Sequence, residues 1–425
     1  MILLFFLSLL VFMFIGVPIA ISLGLSTIIG IALHETLNMA IVPQRIFVSL
    51  NSFPLMAIPF FILAGNLMGA GSMSKRMVAF ASSLVGHFTG GLAMVAIVTS
   101  MFFAAISGSG AATTAAIGSI LIPAMIAKGY KIEYAAANQA VAGALGIIIP
   151  PSIAMILYGV AAEVSIADLF IAGIIPGLLI TFSLLLSAFF ISKRDGYVGV
   201  EKSDFPTVLR AFKDSILALL MPVIILGGIY SGLFTPTEAS VVAVVYALIV
   251  GIFIYRDISL KNLPKIFMDS GESSAVIMFV IGTAGLFGFF ISINNIPDII
   301  YQSIESFIVS KYIFLFVVVL ILLVAGMFLE GSAAILILVP LLLPTALSLG
   351  VDPVHFGVIM VCSLAIGLVT PPVGIDLFVV SKLTNLSIIR IARFAIPLIL
   401  ILIVDVLIIT FVPEISIWLP GFLKD

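Results

Sequence analysis

Charge is scarce in this sequence. Asp, Glu, Lys and Arg make up 9% of its 425 residues, where ordinary soluble domains carry about 25%. A soluble fold of this length would lack the charge to cover its surface. Soluble enzymes and disordered segments are therefore excluded. The net charge of −2 offers no basic footprint for nucleic acid. The single cysteine, Cys362, excludes a disulfide framework and a cysteine-based metal site. The three histidines, His34, His87 and His355, are scattered at span ends, where no special chemistry is expected. No low-complexity tract occurs, and no Gly-x-x-x-x-Gly-Lys-[Ser/Thr] loop for ATP phosphates.

Hydrophobic residues are what remain: 63% of the chain, with a mean hydropathy of +1.38. Apolar runs of about 18 residues or more suit a bilayer. They predict through-spans near 2–31, 54–72, 137–163, 169–191, 214–233, 236–255, 268–293, 354–381 and 394–412. The first run is too long for a signal peptide and lacks a basic leader. It is expected to be a retained span, tilted or bent at Gly16-Val17-Pro18. Two more stretches, 91–127 and 312–348, predict helical hairpins with tips at Ser107-Gly108-Ser109-Gly110 and Glu330-Gly331-Ser332. With the N-terminus in the cytoplasm, 15 of the 18 Lys and Arg fall inside. Only Arg45, Lys311 and Lys424 fall outside, as the positive-inside bias requires. The C-terminus is then outside, where Trp418 fits an interfacial anchor. The polar segment 193–213 reads as a cytoplasmic connector with a surface helix. The amphipathic stretches 34–53 and 295–310 suit the membrane surface or an outer arm.

The two halves match at a constant offset of 221: Gly110 with Gly331, Pro123 with Pro344, Gly146 with Gly367, and Pro150-Pro151 with Pro371-Pro372. The first repeat enters from the cytoplasm and the second from outside. The expected fold is thus an all-α integral membrane protein with two inverted repeats. Each repeat has a hairpin and a helix broken by Pro-Pro. The divisions are 1–72 (scaffold), 73–163 (first transport repeat), 164–293 (scaffold and connector), 294–381 (second transport repeat) and 382–425 (last scaffold helix). Such repeats place substrate and ion sites near the bilayer midplane.

Two prolines in a row remove two backbone donors, so carbonyls near Ile149 and Thr370 lose helical partners. Within a bilayer those oxygens need protein, water or an ion. With a hairpin tip facing each break, converging carbonyls and hydroxyls suit a hard cation such as sodium. The sodium set is Ser107, Gly110, Ile149, Pro150, Gly331, Ser332, Thr370, Pro371 and Val373. Serine hydroxyls and free amides at a helix start suit a carboxylate. An acid at mid-membrane is a functional candidate by default. The substrate set is Ser107, Ser109, Ser152, Glu330 and Asp376. Glu330 suits an ion, a proton, or a substrate hydroxyl or amine. Asp376 faces the broken region or a helix N-terminus. Asp405 and Asn66 read as interhelical pairing, and Pro236 with Glu238 as a helix start.

An intramembrane protease is disfavoured. Val-Gly-Ile precedes Asp376 instead of Gly-x-Gly, and no histidine shares the depth of Ser109. A channel needs a hydrophilic lining, and no span shows a polar stripe.

The hairpin SGSGAATTAAIGSILIPAM, the motifs GIIIPPS and GLVTPPVG, and the turn FTPTEA at 234–239 resemble the large membrane subunit of TRAP transporters. These are tripartite ATP-independent periplasmic transporters. The resemblance covers both repeats and the link between them. It implies an elevator-type importer driven by sodium and no enzyme activity. It also implies a separate small membrane subunit, a periplasmic binding protein, and an organic-acid substrate such as a C4-dicarboxylate or sialic acid. The alternative is a stand-alone ion-coupled anion transporter of similar fold.

Overall fold

The computed structural model describes residues 2–34, 36–299 and 310–423. All regular structure among them is helical. Nine of these helices are long and apolar enough to cross a membrane.

The first 32 residues do not form the single span expected. They form two helices, α1 (Ile2–Phe14) and α2 (Ile19–Ala32). Gly16 takes a φ of +83°, which favours glycine, and Pro18 stands just before α2 with φ −53°. The chain reverses there. Phe5 packs on Phe287 and Phe290 at 5.4 and 4.6 Å, and the Phe290 ring also covers Gly30. In a continuous helix residues 5 and 30 would lie roughly 37 Å apart. Instead they share a level, so α1 and α2 make an antiparallel hairpin. Both its ends lie beside the C-terminal end of α14 (Leu263–Ile293).

Helix α3 (Ile41–Leu50) forms in the first amphipathic stretch, the one expected at the membrane surface or in an outer arm. It seats on α14, where Gly282 and Gly285 admit Ile46 and Ser49. The Arg45 guanidinium lies 4.0 Å over the Phe289 ring. Of the second amphipathic stretch, residues 300–309 lie outside the described residues. Helix α4 (Ala57–Ala70) packs on α13 (Pro236–Leu248) and α14. Here Asn66 Nδ2 donates to Ser270 Oγ at 2.8 Å, the interhelical bond expected of it. Helix α5 (Met73–Val85) packs on α12 (Phe205–Tyr230). Asp257 ties the start of α5 to the scaffold, accepting from the Ser72 N–H at 2.6 Å and from the Ser72 hydroxyl.

Helix α11 (Ile166–Asp195) is 30 residues long, about 45 Å at the usual rise. Ser165 caps its start, accepting from the Asp168 N–H at 3.2 Å. Gly196, at φ +78°, ends it behind Lys193 and Arg194. The connector is shorter than expected and holds no surface helix: only residues 196–204 separate α11 from α12. It runs along the base of the first hairpin. Gly90 N–H donates to the Tyr197 carbonyl at 3.1 Å, and Val200 N–H to that of Gly86 at 2.9 Å.

Helix α13 begins where FTPTEA predicts. The Thr235 hydroxyl accepts from the Glu238 N–H, and the Glu238 carboxylate accepts from the Thr235 N–H at 2.8 Å. Glu238→Ala leaves the Thr235 N–H without its acceptor, so the variant is expected to melt below the wild type in detergent. Equal melting would remove the carboxylate from the cap.

Candidate functional site

The first hairpin is α6 (Gly91–Ser107) and α7 (Gly110–Ala127). The first broken helix is α8 (Ile132–Gly143), the short α9 (Leu145–Ile148) and α10 (Ile153–Ala161), bent by 41° at the proline pair. The second hairpin is α15 (Lys311–Phe328) and α16 (Gly331–Ser348). The second broken helix is α17 (Pro353–Gly367) and α18 (Ile375–Thr384). Both Pro-Pro bonds are cis.

The two broken helices run antiparallel. Tyr158 near the end of α10 donates its hydroxyl to the Pro353 carbonyl, at the start of α17, at 2.6 Å. At the opposite end Arg390, which follows α18, pairs with Glu133 at the start of α8, also at 2.6 Å. The repeats are therefore inverted.

Each tip meets its own break. Ile153 N–H donates to the Gly108 carbonyl at 3.4 Å, joining the first tip to the first break. Gly374 N–H donates to the Met327 carbonyl at 3.4 Å, joining the second break to the second hairpin. Helices also exchange across the repeats, α7 packing on α18 and α10 on α16. Gly331 approaches Ile147, and Gly110 approaches Asp376.

Proline chemistry leaves oxygens free, as expected. Among the described residues no N–H or O–H donates to the carbonyls of Ile149, Pro150, Thr370 or Pro371. The Thr370 hydroxyl donates back to Ile366 at 2.7 Å. The first break is wholly buried, whereas Pro372 and Val373 of the second are exposed. Beside Val373 opens an apolar cavity of about 490 Å³, between the tip of the α1–α2 hairpin and the end of α15.

The expected substrate residues divide into two groups. Ser109 and Glu330 occupy the two tips. Ser109 is half-buried and caps α7, accepting from the Ala112 N–H at 3.4 Å. Glu330 is exposed and caps α16, accepting from the N–H groups of Ser332 and Ala333 at 2.9 and 3.3 Å. The Ser332 hydroxyl adds a third bond to Glu330 at 2.9 Å. Ser107 is buried behind Ser109, its hydroxyl 2.8 Å from that of Thr113. Ser152 and Asp376 are both fully buried. Ser152 donates to the Ile147 carbonyl at 2.6 Å, bridging the gap that the prolines make. Asp376 sits fully buried at the start of α18.

Asp405 accepts from Ser183 at 2.8 Å, the structural pairing expected of it. Asn138 and Gln139 were not expected at the site. They lie at the centre of α8, donating to the Ala93 carbonyl and the Ser100 hydroxyl, each at 3.2 Å, and so hold α8 against α6. Two adjacent amides inside an apolar span were the available signal.

A model of the DctM component of tripartite ATP-independent periplasmic transporters matches residues 6–415. The chain belongs to this family. It is a multi-pass membrane protein, and its relatives are permeases rather than enzymes. It is 45% identical over 411 residues to the isethionate TRAP transporter permease protein DctMQ of Oleidesulfovibrio alaskensis, covering 96% of this chain and 65% of that longer protein. It is 43% identical to the C4-dicarboxylate TRAP large permease DctM of Pseudomonas aeruginosa, over 95% of this chain and 94% of that one. With the sialic acid TRAP large permease SiaM of Vibrio cholerae it shares 34% identity over 96% of each chain. The YdaH transporter of Alcanivorax borkumensis has the same fold, with a TM-score of 0.65, 15% identity and 98% of both chains covered.

Proposed function

We propose that this large permease imports an organic acid across the bacterial cytoplasmic membrane by sodium symport. The observation that carries this is the pair of tip–break junctions with carbonyl oxygens free of donors. Sodium binds at each junction. One cage draws on Ser107, Gly110, Ile149 and Pro150, the other on Gly331, Ser332, Thr370, Pro371 and Val373. The filled cages order the tips, and Ser109 and Glu330 then meet the substrate between them. A ligand shifts two states only by its differential affinity for them. Coupling therefore resides in sodium-dependent ordering of this pocket.

The hairpins and broken helices move as one body against the remaining helices. A periplasmic binding protein delivers substrate, and a small membrane subunit flanks the scaffold. The relatives named for isethionate, C4-dicarboxylates and sialic acid support a small organic anion. C4-dicarboxylate and sialic acid are the substrates to test first. The α1–α2 hairpin, which turns back on itself, supports an N-terminus on the periplasmic side with the C-terminus, in place of the cytoplasmic one expected from a first crossing.

The test is uptake by proteoliposomes holding this chain, the small subunit and the binding protein, with and without an inward sodium gradient. Uptake that needs both sodium and the binding protein is expected. Uptake by the chain alone would favour a stand-alone transporter. Equal uptake in potassium would overturn the sodium coupling.

A further inference from the structure

Asp376 is fully buried, and neither carboxylate oxygen has a hydrogen-bond partner among the described residues. Its backbone N–H donates to the Leu368 carbonyl across the second break at 3.0 Å, which fixes where the side chain starts. The carboxylate lies against the first residue of α7. A methyl group on Gly110 would sit 3.0 Å from Asp376 Oδ2, 3.4 Å from Oδ1 and 3.4 Å from the Gly143 carbonyl oxygen. Gly143 is in turn covered by the Thr114 hydroxyl, which is also buried and unpartnered. Oxygens from α7, α8 and α18 thus gather at one small volume behind the first tip, beside Gly110 and built from none of the other residues of the two tip–break cages.

The charge balance decides what belongs there. The start of α7 favours the ionised carboxylate, because its backbone dipoles point their positive end at Asp376. An ionised carboxylate buried without a donor or a counter-charge is strongly disfavoured. No protein cation supplies that charge: the ion pairs among the described residues are Arg194–Asp195 and Arg390–Glu133. A carboxylate, a hydroxyl and a carbonyl at the end of a helix are hard oxygen ligands. One negative charge balances a monovalent ion and leaves a divalent one with excess charge in a low-dielectric interior.

We propose that Asp376, the Thr114 hydroxyl and the Gly143 carbonyl form a third cation site, filled by sodium, which ties the first hairpin and first broken helix to the second broken helix. This rests on the sodium-symport reading and adds an ion to it. An ion held by all three elements locks the two repeats into one moving body, a task that neither tip–break cage performs alone.

The experiment is equilibrium binding of radioactive sodium to the purified full chain, counted per protein, for the wild type, Asp376→Asn, Thr114→Val and Ser107→Ala. Asp376→Asn is expected to bind one ion fewer than the wild type. Thr114→Val should keep the ion number but weaken one class of ion about tenfold. Ser107→Ala should leave the Asp376 ion in place. A wild type that binds no sodium would sink the symport reading itself. A wild type that binds sodium, with Asp376→Asn binding the same number at the same affinity, overturns only the third site. If Asp376→Asn elutes aggregated from a sizing column, Thr114→Val decides alone, and unchanged affinity there counts against the site.

Discussion

Alanine at Gly146 is expected to reduce uptake to background while the protein still inserts in the membrane. The added methyl would collide with the Ser109 carbonyl, approach the carbonyl carbon of Ser109 to 2.6 Å and come within 2.7 Å of the Thr113 hydroxyl. Ser109 lies at the turn of the first tip, and its backbone cannot rotate aside as a flexible side chain would. Overpacking of this kind costs about 1–3 kcal/mol. That is too little to unfold a helical membrane protein of this size outright. It is enough to move the tip off the first break, where Gly108 and Ile153 meet. Gly367, the repeat partner of Gly146, faces a different obstacle, since its methyl would land on the backbone of Gly326 in the second hairpin. Gly367→Ala should therefore impair transport through the second tip. Uptake assays set against membrane abundance measure both. Wild-type uptake in Gly146→Ala would mean that the contact between tip and broken helix is not needed for transport.

The double variant Ser107→Ala, Ser109→Ala should also lose uptake with normal insertion. Ser107 shares its hydroxyl with Thr113 at 2.8 Å, and Ser109 caps α7 at 3.4 Å. As a structural loss, a missing cap costs about 1 kcal/mol, which the fold can absorb. As a functional loss the stakes are larger. Hydrogen bonds to a charged group contribute about 1.5–3 kcal/mol each, so two lost contacts to a carboxylate or a cation lower binding by roughly two to four orders of magnitude. Substrate binding by calorimetry, with sodium present, separates the two effects. A stability loss with unchanged binding would remove the first tip from the pocket and leave it a packing element.

Much of the site was legible because it is written in residues that break helices. Proline pairs at 150–151 and 371–372 interrupt helices wherever they occur, and the offset of 221 pairs them without reference to any contact. Tips rich in glycine and serine stop helices for the same reason. Ser152 and Asp376 show the limit. Both lie one turn or less from a proline pair, yet both are fully buried. Sequence position gives distance along a helix, but which side of it faces a neighbour depends on where that neighbour packs.

The N-terminal hairpin shows the same limit at larger scale. A 30-residue apolar run satisfies one long crossing and one short hairpin equally. The charge bias had nothing to count there, because no Lys or Arg precedes Arg45. The contact of Phe5 with Phe290, and of Phe290 with Gly30, decides it.

Composition, apolar run length, charge placement and the proline-marked repeat by themselves determined a many-spanned membrane protein with two inverted halves. They are local or additive properties, and the bilayer reads them one segment at a time. Tertiary structure alone decided that α1 folds back on α2, that α7 packs on the opposite repeat, and that Asp376 ends up buried against Gly110 without a partner. Those outcomes depend on side-chain fit between segments hundreds of residues apart, which neither hydropathy nor periodicity records.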